Sequence, residues 1–68
     1  MTNECSQLID RLIAVREARG MTQEQLAKTA GIAQPSIARL ESKRTSPTLA
    51  TLVKLTKALD CRLDIIAD

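Results

Sequence analysis

Gln34 and Arg39 are the side chains in this sequence best suited to reading a flat, polar surface. An amide presents a donor beside an acceptor, and a guanidinium presents a rigid fork of donors. Those shapes match the major-groove edges of adenine and guanine respectively, and each good bidentate contact supplies about 1–3 kcal/mol of discrimination. Pro35 and Ala38 lie between them and offer apolar contact of the kind a thymine methyl takes. Ser36, Lys43, Arg44 and Thr45 add hydroxyl and cationic groups that can hold phosphate oxygens. Contacts to phosphate fix register and do not read sequence. Cations also favour a helix C-terminus for reasons unrelated to any ligand. Arg39, Lys43 and Arg44 alone therefore do not decide the matter; the elements that carry them do.

Those elements lie between Gln23 and Ser42. Thr22, with Gln25 three residues on, forms a capping box, and Met21 and Leu26 occupy the positions of a hydrophobic staple. A helix is expected over about Gln23–Ala30. Gly31 can take the left-handed conformation that stops it, and Ala27 is small enough to let two helix backbones approach. A second helix is expected over about Gln34–Ser42, with Ile32 and Ile37 repeating the staple spacing. Ala33 is an imperfect cap, lacking a side-chain acceptor at a cost of about 1 kcal/mol. Pro35 is tolerated because it lies in the first turn. This spacing is that of a helix-turn-helix, whose second helix enters the DNA major groove.

The stretch M-T-Q-E-Q-L-A-K-T-A-G-I-A-Q-P-S-I-A-R-L-E, preceded by R-E-A-R-G and followed by S-P-T-L-A-T-L-V-K-L-T-K-A-L-D, resembles the phage repressor and Cro class of helix-turn-helix proteins, the XRE family. The likeness covers roughly residues 8 to 60, with Leu26, Ala27, Ala30, Gly31, Ile32, Ile37 and Leu40 at the apolar, small or glycine positions of the motif. The resemblance implies Gln34, Pro35 and Arg39 as base readers and Gln23 as a phosphate contact. It implies Ser or Thr where this chain has Ala33, and Gly where it has Asp60.

With Ile37, Leu40 and Glu41 turned inward, a helix advancing about 100° per residue presents Pro35, Ala38, Arg39 and Ser42 on its opposite face, and Gln34 projects from the end. Glu41 then borders an apolar stripe. Arg16 does the same on the first helix, four residues after Leu12. A charge on a buried face needs a partner, so an Arg16–Glu41 ion pair is expected between the two helices. The resemblance implies such a pair at the matching positions.

The first helix is expected from about Cys5 or Ser6 to Arg19, after a frayed start. Leu8, Leu12 and Val15 form its inward stripe, broadened by Ile9 and Cys5, with Ile13 off-centre and Gly20 ending it. A fourth helix runs to about Leu59. Its cap is Thr48, or Ser46 with Pro47 in the first turn, and its inward face is Leu49, Leu52, Val53, Thr56 and Leu59. Asp60 tolerates the left-handed region less well than Gly, so a distorted helix end is expected there. The segment Cys61–Asp68 then alternates, with Cys61, Leu63 and Ile65 on one side and Arg62 and Asp64 on the other. That pattern reads as a strand over residues 61–66, against a frayed tail or a short fifth helix. A lone strand edge invites another chain, so Leu63 and Ile65 are expected at a dimer contact. This ending resembles that of HigA-type and HipB-type antitoxins.

The expected architecture is all-α: one four-helix repressor-like domain over residues 1–68, with a short terminal strand used in dimerisation. A chain of 68 residues buries only about 60% of its unfolded surface, so dimerisation would add needed stability. It contains no Phe, Tyr or Trp, which argues against the modules that stack unpaired bases on aromatic rings. Two cysteines and no histidine favour free thiols over a disulfide framework or a zinc site. No metal or cofactor is expected. The N-terminus carries charges and no long apolar run, so neither a signal peptide nor a membrane span is expected, and the location is read as cytoplasmic. There is no glycine-rich phosphate loop and no supported carboxylate pair, so catalysis is not expected; Ser36 near Lys28 or Lys43 reads as surface. The net charge of +2 decides little.

The function implied is a dimeric, sequence-specific regulator of double-stranded DNA with a roughly palindromic operator. A repressor is expected, in one variant the antitoxin of a toxin–antitoxin operon with a toxin protein as second partner. The competing reading is a protein-interaction module that reuses the fold without binding DNA. The strand-like ending favours a complete small protein over a domain of a longer repressor.

Overall fold

The computed structural model describes residues 1–68. Four helices follow one another: α1 Asn3–Ala18, α2 Gln23–Ala30, α3 Gln34–Glu41 and α4 Leu49–Ala58. Three begin on a threonine. The hydroxyls of Thr2, Thr22 and Thr48 accept from the backbone N–H three residues on, at 3.2, 3.0 and 3.1 Å. At Thr22 the box is complete, because its own N–H donates to Gln25 Oε1 at 2.8 Å. The Thr2 cap starts α1 at Asn3, two or three residues before the expected start at Cys5 or Ser6. Only α3 lacks a side-chain cap, at Ala33.

All four helices end alike. Gly20, Gly31, Lys43 and Asp60 take positive φ, between 55° and 71°. The next residue's N–H then reaches back over the turn: Met21 to Arg16, Ile32 to Ala27, Arg44 to Arg39 and Cys61 to Thr56, at 2.8–3.1 Å. This closure satisfies carbonyls that the helix leaves without intrahelical partners. Two of the four positions carry a side chain where glycine would be free of strain. The end of α4 is thus regular in its hydrogen bonding; the cost of Asp60 lies in its backbone angle.

The core is one cluster. Ile9 of α1, Leu26 and Ala27 of α2, Ile37 and Leu40 of α3, and Leu55 and Leu59 of α4 are all buried. Buried Thr56 donates its hydroxyl to the Val53 carbonyl, so it enters the interior satisfied.

Three sequence expectations change here. On α1 the centre of the buried face is Ile9, with Ile13 packed against the core and Cys5 exposed. Leu12 and Val15 also pack against the core, and with Leu8 they line a groove beside Leu59, Cys61 and Leu63. On α4, Leu55 is fully buried while Leu49 is 72% exposed and Val53 stands at the surface. The third correction concerns the tail: residues 61–66 form no strand. A ladder needs a partner strand, and four helices supply none. Within the segment the Asp64 carboxylate instead accepts from the next backbone N–H at 2.8 Å, a local bond that competes with sheet pairing. Leu63 is half-buried in the α1 groove and Ile65 is 96% exposed.

Candidate nucleic-acid interface

Helix α3 is held by its inner face and offers its outer one. Ile37 and Leu40 anchor it in the core. Gln34, Pro35 and Arg39 are exposed, and Ser36 and Ala38 are half-buried beside them. Arg39 Nη2 donates weakly to Ser36 Oγ, one turn back, at 3.4 Å. The Arg39 fork therefore stays close to its own helix while most of its donors remain free.

The orientation of α3 rests on a chain of charged and amide groups. Arg16 Nε donates to Glu41 Oε2 at 2.7 Å and Arg16 Nη2 to Glu41 Oε1 at 3.0 Å. A third nitrogen of Arg16, Nη1, donates to the Met21 carbonyl at 2.7 Å. Both charged side chains are only 11% exposed. Such a bidentate pair fixes direction as well as distance, so α1, the turn before α2, and the end of α3 are tied at one point. Two further bonds extend from it. Gln23 Nε2 donates to Glu41 Oε1 at 3.0 Å, and Gln34 Nε2 donates to Gln23 Oε1 at 3.1 Å. The sequence reading set Gln23 and Gln34 apart as phosphate and base contacts and did not join them. Each is the first residue of its helix, but the whole of α2 separates Gln23 from the turn, so the contact depends on how α2 and α3 pack.

The basic groups after α3 divide. Lys43 Nζ lies 2.8 Å from Asp10 Oδ1, so this side chain is drawn toward α1. Arg44 and Thr45 are exposed, and neither makes a side-chain hydrogen bond or ion pair. Of the candidate phosphate groups, Arg44 is the cation free to act at once; Lys43 would first exchange its carboxylate partner. No group of histidine, cysteine and acidic side chains is placed to hold a metal ion.

The comparisons with known proteins concern the family and the fold. The helix-turn-helix family model matches residues 12–66. Antitoxin HigA1 of Mycobacterium tuberculosis H37Rv is 35% identical over 65 residues, covering 96% of this chain and 44% of HigA1. An uncharacterised helix-turn-helix-type transcriptional regulator of Haemophilus influenzae is 44% identical over 59 residues, covering 87% of this chain and 60% of that protein. The chain thus spans about half the length of these curated relatives. Among solved structures, the HipB–O1–O2 complex superposes with a TM-score of 0.85 at 30% identity, covering 98% of this chain and 97% of that one. By helix order, by the turn at Gly31 and by the extent of the match, this chain belongs to the XRE-type helix-turn-helix family, whose members here include transcriptional regulators and HigA and HipB antitoxins.

Proposed function

We propose that this chain is a dimeric, sequence-specific double-stranded DNA-binding regulator, a repressor acting in the cytoplasm. The observation that carries the reading is the outer face of α3: Gln34, Pro35 and Arg39 exposed on a helix whose direction is fixed from behind by Arg16 and Glu41. Gln34 and Arg39 read bases, Pro35 and Ala38 give apolar contact, and Gln23, Ser36, Arg44, Thr45 and Lys43 hold the backbone. Ser36 is a contact residue in this reading, and no catalytic role is assigned to it. The dimer is supported by exposed apolar side chains. Leu49, Val53, Ile65 and Ile66 are all exposed, and Leu63 is half-buried in the groove beside α1. In a dimer that binds successive major grooves of one duplex, the two α3 helices would lie about 34 Å apart.

A specific observation also favours the antitoxin variant. The similar proteins include HigA1 and HipB, both named as antitoxins. In that variant a toxin protein is a second partner, and the chain also represses its own operon.

Selection from a pool of randomised duplexes tests the reading. A palindromic site should be enriched, with half-sites about 10–10.5 base pairs apart centre to centre. Sedimentation of the complex should give two chains per duplex. Enrichment of no sequence would refute the regulator reading, and one chain per duplex would refute the dimer.

A further inference from the structure

Lys43 is a costly residue for its position. It stands one residue past the C-cap of α3, at φ 64°, where glycine would be free of strain. Its side chain does not trail into solvent. It crosses to α1, and Nζ stops 2.8 Å from Asp10 Oδ1. The adjacent cation, Arg44, is exposed and makes no ion pair. We infer that Asp10 is an internal competitor of DNA phosphate: it occupies the Lys43 ammonium and so lowers affinity for every duplex without changing sequence preference. This inference rests on the regulator reading and adds what limits its affinity.

Carboxylate and phosphate offer an ammonium the same thing, anionic oxygens that accept charge-assisted hydrogen bonds. An ammonium has three N–H donors but one charge. While that charge is paired with Asp10, Lys43 brings little net attraction to a phosphate. The pair is nevertheless open to exchange. Its side chains are 34% and 59% exposed, and exposed ion pairs are weak and screened by salt. The Arg16–Glu41 pair, with both side chains 11% exposed, is closed by comparison. When Lys43 moves onto a phosphate, the DNA releases a counterion. The same move bares the Asp10 carboxylate, which draws a cation back from solution and repels a strand nearby. The exchange therefore yields less affinity, and a shallower salt dependence, than an unpaired lysine at the same place.

A purely structural pair makes the opposite prediction. If Asp10 served only to tie the end of α3 to α1, its loss would loosen that helix and weaken binding. Loss of a competitor strengthens binding.

The experiment is fluorescence anisotropy at several salt concentrations, on a duplex selected by the unaltered chain from a random pool and on its scrambled counterpart. The chains are the unaltered protein, Asp10→Asn, Asp10→Ala, Lys43→Gln and Asp10→Asn/Lys43→Gln, each first checked for folding by circular dichroism. Glu4→Gln is the control, because it makes the same change of charge at an exposed, unpaired position on the same helix. The expected result is that Asp10→Asn and Asp10→Ala bind both duplexes more tightly than the unaltered chain and keep the ratio between them. The gain should approach that of one full phosphate contact per bound chain, a salt slope steeper by about 0.9. An advantage with that slope is roughly eightfold larger at 0.1 M salt than at 1 M. In the Lys43→Gln background the Asp10→Asn change should do nothing. Unchanged or weaker binding by both Asp10 variants, an equal gain from Glu4→Gln, a gain that persists without Lys43, or a gain on one duplex alone would overturn the competitor and leave the regulator reading intact. Enrichment of no sequence by the unaltered chain would remove both.

Discussion

Arg16 and Glu41, 25 residues apart in sequence, meet with Nε and Oε2 separated by 2.7 Å. One contact thereby joins the first helix to the end of the third. Its low exposure decides how much it matters. Exposed pairs contribute little, about 0–1 kcal/mol. Removing one partner of a buried pair leaves the other charge without compensation, which costs about 3–5 kcal/mol. Glu41→Ala should therefore lower unfolding free energy by about that amount. Urea denaturation at fixed temperature reads it, and destabilisation below about 1 kcal/mol would return the pair to the surface class.

The helix ends yield a prediction of opposite sign. Asp60 adopts φ 55°, and its side chain is 87% exposed, 3.8 Å from Arg19. Little is lost with that carboxylate. Asp60→Gly should raise stability by roughly 0.5–1 kcal/mol by relieving the left-handed backbone. A lower melting temperature for Asp60→Gly would show that the contact with Arg19 outweighs the strain.

On α4 the two faces can be told apart directly. Leu55 is 2% exposed and Leu49 is 72% exposed. Leu55→Ala should cost about 2–5 kcal/mol. In dilute chain Leu49→Ala should change stability by less than about 0.5 kcal/mol. Similar costs for both would mean that Leu49 is covered in solution.

Helices α2 and α4 show where the sequence was informative and where it was not. Helix α2 came out with its observed bounds because its signals are local: Thr22, Gln25 and Gly31 act within one turn. The face of a helix is not a local property. Helix α4 carries Leu49 and Val53 on one stripe and Leu52, Leu55, Thr56 and Leu59 on another, and periodicity alone supports either. On α1 the stripe Leu8–Leu12–Val15 left open whether its centre lay at Leu12 or at Ile9, with Ile13 also inward. In both cases packing against the other helices chose. The terminal segment failed for a different reason: alternation at residues 61–66 describes what a strand could be, while pairing requires a second strand. At the site, the residue types of α3 pointed to its outer face. The link from Gln23 to both Gln34 and Glu41 needed three elements in space.

The division among basic groups predicts two distinct phenotypes. Arg39→Ala should relax preference at one base pair, by about 1–3 kcal/mol. Arg44→Ala should weaken all sequences alike and reduce the salt slope by about one unit. Lys43→Ala is a poorer probe, because it also removes the pair with Asp10 and alters a left-handed residue. Fluorescence anisotropy on the selected duplex and its scrambled counterpart measures both effects. Identical behaviour of Arg39→Ala and Arg44→Ala on the two duplexes would contradict the assignment.

The most direct measurement is a titration of the unaltered chain against the DNA upstream of its own gene and a scrambled duplex of equal length, at two salt concentrations. The predicted result is binding to the upstream DNA at least about a thousandfold tighter than to the scrambled duplex, with affinity for both falling steeply as salt rises. Equal weak binding to both duplexes, or none to either, would contradict DNA regulation at its own promoter and favour a fold used for protein contact alone.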